Sequence, residues 1–98
     1  MAYSGTVSTS YHGTAGTAVD TVTLSRKSSS VRIVNRGASD IYYTLGLEGA
    51  TAVTPVVGAD NTYICIAGEG QVENAENLIS SVKLIAAAAS VYSVEAHH

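Results

Sequence analysis

Val82-Lys83-Leu84-Ile85-Ala86 and Val91-Tyr92-Ser93-Val94 are two short apolar runs separated by the small residues 87–90. Each is rich in β-branched or aromatic side chains and too short for a globular helix, so each reads as a strand and the two together as a hairpin. Runs of the same kind recur upstream as far as Val19, bounded by Gly, Ser, Asn or Asp. Val19-Asp20-Thr21-Val22-Thr23-Leu24 alternates from Thr21 onward, which puts Val22 and Leu24 on one face. Lys27-Ser28-Ser29-Ser30 reads as a turn, after which Val31 and Ile33 share a face. Arg36-Gly37-Ala38-Ser39-Asp40 is a turn cluster, and Ile41, Tyr43 and Leu45 are in phase beyond it. Turn residues between two such runs predict another hairpin. Thr62-Tyr63-Ile64-Cys65-Ile66 is a further strand, ended by Ala67-Gly68-Glu69-Gly70. Six or seven short strands, about ten residues apart, predict an all-β fold, specifically an antiparallel β-sandwich.

Other stretches are less regular. Residues 46–61 hold the only proline, Pro55, and read as a long connection with an edge strand near 53–57. Ala75, Leu78, Ile79, Val82, Ile85, Ala86 and Ala89 fall at helical spacing, which competes with the strand reading of 82–86. Ser80-Ser81 interrupts that pattern, so a loop or short helical turn over 71–79 followed by two strands is preferred. Residues 1–16 are polar and punctuated by Gly. They read as an extended N-terminal arm with one short strand near 5–10, leaving a β-sandwich domain over 17–96. The expected core is Val22, Leu24, Val31, Ile33, Ile41, Tyr43, Leu45, Ile64, Ile66, Leu84 and Val94.

A chain of 98 residues makes one domain. Folding buries about 64% of its surface, enough for one core without a deep, walled site beside it. There are six Tyr and no Phe or Trp. The core is therefore aliphatic, with Tyr at its margins, where each hydroxyl can reach water or a partner. Only 13% of residues are charged and the net charge is −3, which argues against a nucleic-acid binder that must neutralise phosphates. Arg26, Lys27, Arg32 and Arg36 read as solvated strand ends. A weakly self-repelling surface suits packing against other subunits. Cys65 is the single cysteine and reads as a buried, inert thiol. No signal-peptide pattern opens the sequence, and no apolar stretch approaches the ~20 residues of a membrane span. A soluble product of a reducing cytoplasm is expected.

Nothing in the sequence builds an active site. His12 is the one histidine away from His97-His98, and it lies in the polar arm without the setting a nucleophile–base pair needs. Asp40, Glu48, Asp60 and Glu69 fall in turn-rich segments where carboxylates stay solvated. Gly68-Glu69-Gly70 lacks the strand–loop–helix context of a phosphate loop. No enzyme activity, cofactor or metal is expected. Tyr42-Tyr43 carries more information. Adjacent strand residues point to opposite faces, so one ring joins the core and the other faces out as a contact anchor. The candidate subunit contacts are Tyr42 and the arm residues Tyr3 and Tyr11.

Ser30-Val31-Arg32-Ile33-Val34-Asn35-Arg36-Gly37 followed by Asp40-Ile41-Tyr42-Tyr43-Thr44, then Val56-Val57-Gly58-Ala59-Asp60-Asn61-Thr62-Tyr63, then the two C-terminal runs, occur in that order. Over residues 19–95 this series resembles the small virion structural proteins of tailed bacteriophages. Residues 73–77 depart from the tighter connection of that pattern, and the arm is unmatched. The resemblance implies a non-enzymatic virion subunit with phage capsid or tail proteins and further copies of itself as partners, without membrane or nucleic acid. Capsid decoration is the first expectation, and a head–tail connector or tail subunit the second. A glycan-binding β-sandwich is a third, because exposed Tyr stacks on sugars; the lack of Trp counts against it.

Overall fold

A computed structural model describes residues 8–50, 52–60 and 62–97. It contains six strands: β1 (Ser8–Ala15), β2 (Asp20–Asn35), β3 (Ile41–Leu47), β4 (Tyr63–Cys65), β5 (Gly70–Ala86) and β6 (Ser90–His97). All pairings are antiparallel, in the order β1-β6-β2-β5-β3-β4. The all-β antiparallel class is as expected. The strands form one continuous sheet that curls around the core.

The curl originates in β2 and β5. Their ladder runs from Asp20↔Leu84 to Thr23↔Ser81, breaks, resumes at Ser28↔Ile79, breaks again and continues from Ser30↔Asn74. Residues 24–27 are surplus on β2 at the first break, and residues 75–78 on β5 at the second. Unpaired residues of this kind bend a strand and increase its twist. The turn expected at 27–30 is therefore the bend of one 16-residue strand. Likewise, the loop or helical turn expected over 71–79 is the first half of a 17-residue strand. The helical spacing of Ala75, Leu78 and Ile79 arises because the bulge shifts the strand's inside–outside phase by a local excess of residues.

Neither predicted hairpin forms. β2 pairs with β5 and β6 and not with β3, while β5 pairs with β2 and β3 and not with β6. Connections 36–40 and 87–89 instead cross between different parts of the curled sheet, and the first packs against the start of β6. Gly37 sits where they touch: a Cβ there would lie 2.1 Å from Ser90 Oγ, 2.7 Å from Ser90 Cα and 2.8 Å from the Val91 amide nitrogen. Asn35, fully buried, ties the junction together. Its Nδ2 donates to the carbonyls of Ser39 at 2.7 Å and Cys65 at 3.0 Å. Its Oδ1 accepts from the Gly37 amide at 3.0 Å and the Ser90 hydroxyl at 2.8 Å.

Residues 8–15 are a strand of the sheet and not a free arm. They pair with β6 from Ser8↔His97 to Ala15↔Ser90. Small inward residues make this possible: Gly13 lies against the Tyr92 ring and Ala15 is fully buried. The remainder of the expected arm, residues 1–7 with Tyr3, lies outside the described residues. The edge strand expected near 53–57 is irregular loop, with Pro55 buried.

Val22, Leu24, Val31, Ile33, Ile41, Tyr43, Leu84 and Val94 are buried as expected, and Leu45 packs at the margin. Ile64 and Ile66 are not core residues: Cys65 pairs with Ile41 and takes the inward position, which turns its two neighbours out. Ile79, Val82, Ala86, Tyr92 and Ala96 complete the cluster. Truncation of Leu84, wholly buried, should destabilise the fold by about 2–5 kcal/mol through lost methylenes and a residual cavity. Thermal melting of Leu84→Ala measures this, and an unchanged melting temperature would place the side chain outside the core.

Candidate assembly surface

Ile41 and Tyr43 face inward, so Tyr42 between them faces out. The register carries this across the sheet: Tyr42 pairs with Ile64 on one side and Ile85 on the other. Paired residues share a face, so Ile64, Tyr42 and Ile85 form one outward apolar row over β4, β3 and β5. Val19 extends it, standing just before Asp20, which pairs with Leu84. Ile64 and Val19 are each 38% exposed, and Tyr42 and Ile85 are half-buried.

The chain covers part of this face itself. The loop after β3 crosses Thr44, whose hydroxyl donates to the Val53 carbonyl, and sets Ala52 over Gly46. The row at Tyr42 lies beyond that cover. The face formed by β6 and the second half of β2 has a different chemistry. There Arg32 pairs with Glu95 at 3.6 Å, and Arg36 Nε donates to Ser93 Oγ at 3.2 Å. Lys27 engages Glu48 at 3.1 Å, an exposed pair of small energetic consequence.

The sequence singled out Tyr42 correctly as the outward member of its pair. Tyr11 is a different case: it packs against the core, and its hydroxyl accepts the Ser25 amide at 2.7 Å. It closes the curl within one chain. Ile64 and Ile85 were missed. In Tyr63-Ile64-Cys65-Ile66 every residue is apolar, so alternation gives no phase; only the small size of Cys65 favours it for the inside.

Chemically the described residues are quiet. His12 is exposed on β1 opposite Ser93. Asp40 accepts the Ala67 amide at 3.0 Å, and Glu48 is held by Lys27. No three of the described His, Cys, Asp and Glu residues converge as metal ligands. Cys65 is wholly buried with Sγ 3.3 Å from the Glu69 carbonyl oxygen, and burial pushes its thiol pKa up, away from the reactive thiolate.

No protein-family model matches the chain, and no curated protein matches its sequence. Solved structures that share its fold include the following two. PirA superimposes with a TM-score of 0.55 at 17% identity, over 91% of this chain and 93% of that one. A protein of the disulfide-linked pili that form Bacillus endospore appendages gives 0.54 at 12% identity, over 96% of this chain and 86% of that one. The likeness is one of fold.

Proposed function

We propose that this protein is a non-enzymatic structural subunit that works by packing against further copies and neighbouring subunits in a larger particle. The observation that carries the reading is the apolar row Ile64–Tyr42–Ile85, left uncovered on a surface with few charges. Aromatic and aliphatic side chains grouped without charge form the core of typical protein interfaces. The sequence resemblance supports a tailed-phage virion as the particle, with capsid decoration first and a connector or tail position second. A pilus-like fibre is the second reading, and the fold shared with the endospore appendage protein favours it. In either, the contacts are non-covalent, because the single cysteine is enclosed in the core.

The test is sedimentation velocity with electron microscopy of the purified protein, and co-sedimentation with particles. The parent should form assemblies that persist in reductant. Tyr42→Asp with Ile85→Asp should shift the protein to monomer while its circular dichroism and melting remain those of a folded β-domain. A monomeric parent that also fails to join particles, or an assembly indifferent to both charges, overturns the reading. Mass spectrometry of particles then separates hundreds of decoration subunits from a connector ring.

A further inference from the structure

At the rim of the sheet beside the β5 bulge a groove of ≈ 460 Å³ opens, bordered by Leu45, Leu47 and Tyr63 of the face opposite Tyr42 and by Thr44 and Val53 of the loop-covered part of Tyr42's own face. That volume suits a small ligand. Its two sides differ. Leu45, Leu47 and Val53 supply an aliphatic side, and Tyr63 supplies a ring that is 53% exposed. Asn74, Glu76 and Asn77, carried by and beside the bulge, supply a polar side, and Glu73 adds a carboxylate.

The aromatic and the acid are both positioned from below. The Tyr63 ring rests on Tyr43 with centroids 5.5 Å apart and planes inclined by 35°. The Tyr43 hydroxyl in turn donates to Glu73 Oε2, which fixes that carboxylate at the groove wall. A supported ring keeps its orientation when a ligand arrives, so little side-chain entropy is lost on binding.

We infer that this groove is a binding site for a neutral saccharide. A sugar ring has an apolar C–H face and a rim of hydroxyls, and the groove offers a stacking ring and aliphatic wall against amides and carboxylates that donate to and accept from hydroxyls. Glu73 and Glu76, unopposed by any cation in the lining, disfavour sulfated or sialylated sugars. An organic cation would use the carboxylates and the ring but leave the two amides idle. The site is independent of the assembly surface, since Tyr63 and Ile64 point to opposite faces of β4.

Amide-resolved NMR titration tests this, with maltotriose, cellotriose and tri-N-acetylchitotriose as neutral probes, and spermidine and sialyllactose as charged ones. At about 10 mM, at least one neutral trisaccharide should shift the amides of Tyr63 and residues 73–77. Tyr63→Ala should weaken that binding about tenfold, and Tyr42→Asp should leave it unchanged. Should Tyr63→Ala fail to fold, Asn77→Ala, on the exposed bulge, replaces it and should weaken binding severalfold. The inference is overturned if none of the neutral trisaccharides moves these amides, if only spermidine does, or if the folded groove variant binds as tightly as the parent.

Discussion

Replacing Asn35 by Leu should destabilise the fold by about 4 kcal/mol or more, a large share of the ~5–15 kcal/mol that holds a typical domain together. The size follows from what the side chain satisfies. Its amide uses two donors and two acceptances on four separate partners: the Ser39 and Cys65 carbonyls, the Gly37 amide and the Ser90 hydroxyl. Leu has the same heavy-atom branching, is bulkier, and meets none of them. Each buried group left without a partner costs about 1–3 kcal/mol, less where a neighbour relaxes, so simple addition overstates the total. Asn35→Asp sharpens the test. At neutral pH it sets a carboxylate against two carbonyl oxygens and should be as damaging as Leu. Below about pH 4 the protonated acid regains one donor, so the deficit relative to the parent should shrink on acidification. Urea unfolding at both pH values measures this. A Leu variant within about 1 kcal/mol of the parent would mean that water replaces the amide.

Strong base should unfold this protein with unusual steepness. Tyr43 and Tyr92 are buried, and their hydroxyls donate to Glu73 and Asp20 respectively. Burial first, then the carboxylate's hydrogen bond and charge, push both pKa values well above the ordinary tyrosine range. The sign follows from linkage. Above about pH 10 the unfolded chain releases both phenolic protons while the folded chain retains them, so the contribution is fully present below that pH and is lost as pH rises. Each retained proton costs about 1.4 kcal/mol per pH unit, and two together amount to about 5 kcal/mol by pH 12. Cys65 acts in the same direction, beginning lower. Tyr92→Phe should be less stable at neutral pH, because Asp20 loses its donor, yet should lose stability more gradually above pH 10. If parent and variant decline in parallel to pH 12, Tyr92 is not the titrating group.

The legible part of this fold was the part written in alternation. Val22/Leu24, Val31/Ile33 and Ile41/Tyr43 each place two side chains on one face within a few residues, and period-two patterning needs nothing more distant than that. Strand partnership was not legible. A short turn between two strands is compatible both with a hairpin and with a crossing to another part of the sheet, and what separates them here is Gly37 against Ser90, a contact across more than fifty residues. The β2 bend was hidden for a related reason: four polar residues, Lys27-Ser28-Ser29-Ser30, read alike as a turn and as a bulge. Of the assembly surface, Tyr42 could be found because its neighbour declared the opposite face. Ile64 could not, since its phase is set by the Cys65↔Ile41 pairing. The groove lay beyond sequence reading because the β5 bulge creates it, in a segment whose spacing imitated a helix.

The strand order also fixes a sequence of events. β1 is the first of the six strands to be synthesised, yet its hydrogen-bonding partner is β6, and β6 lies between β1 and β2. Among consecutive strands, β3 and β4 alone are paired, so a growing chain has almost no local ladder on which to start. Domains dominated by such distant pairings fold in about milliseconds to seconds, and their unpaired strands are exposed to association in the meantime. The row Ile64–Tyr42–Ile85 draws on three strands and exists only when β4 and β5 have docked on either side of β3. A nascent or half-folded chain thus has no such row to offer a neighbour. Completion of the monomer is therefore a precondition for any contact made through that row.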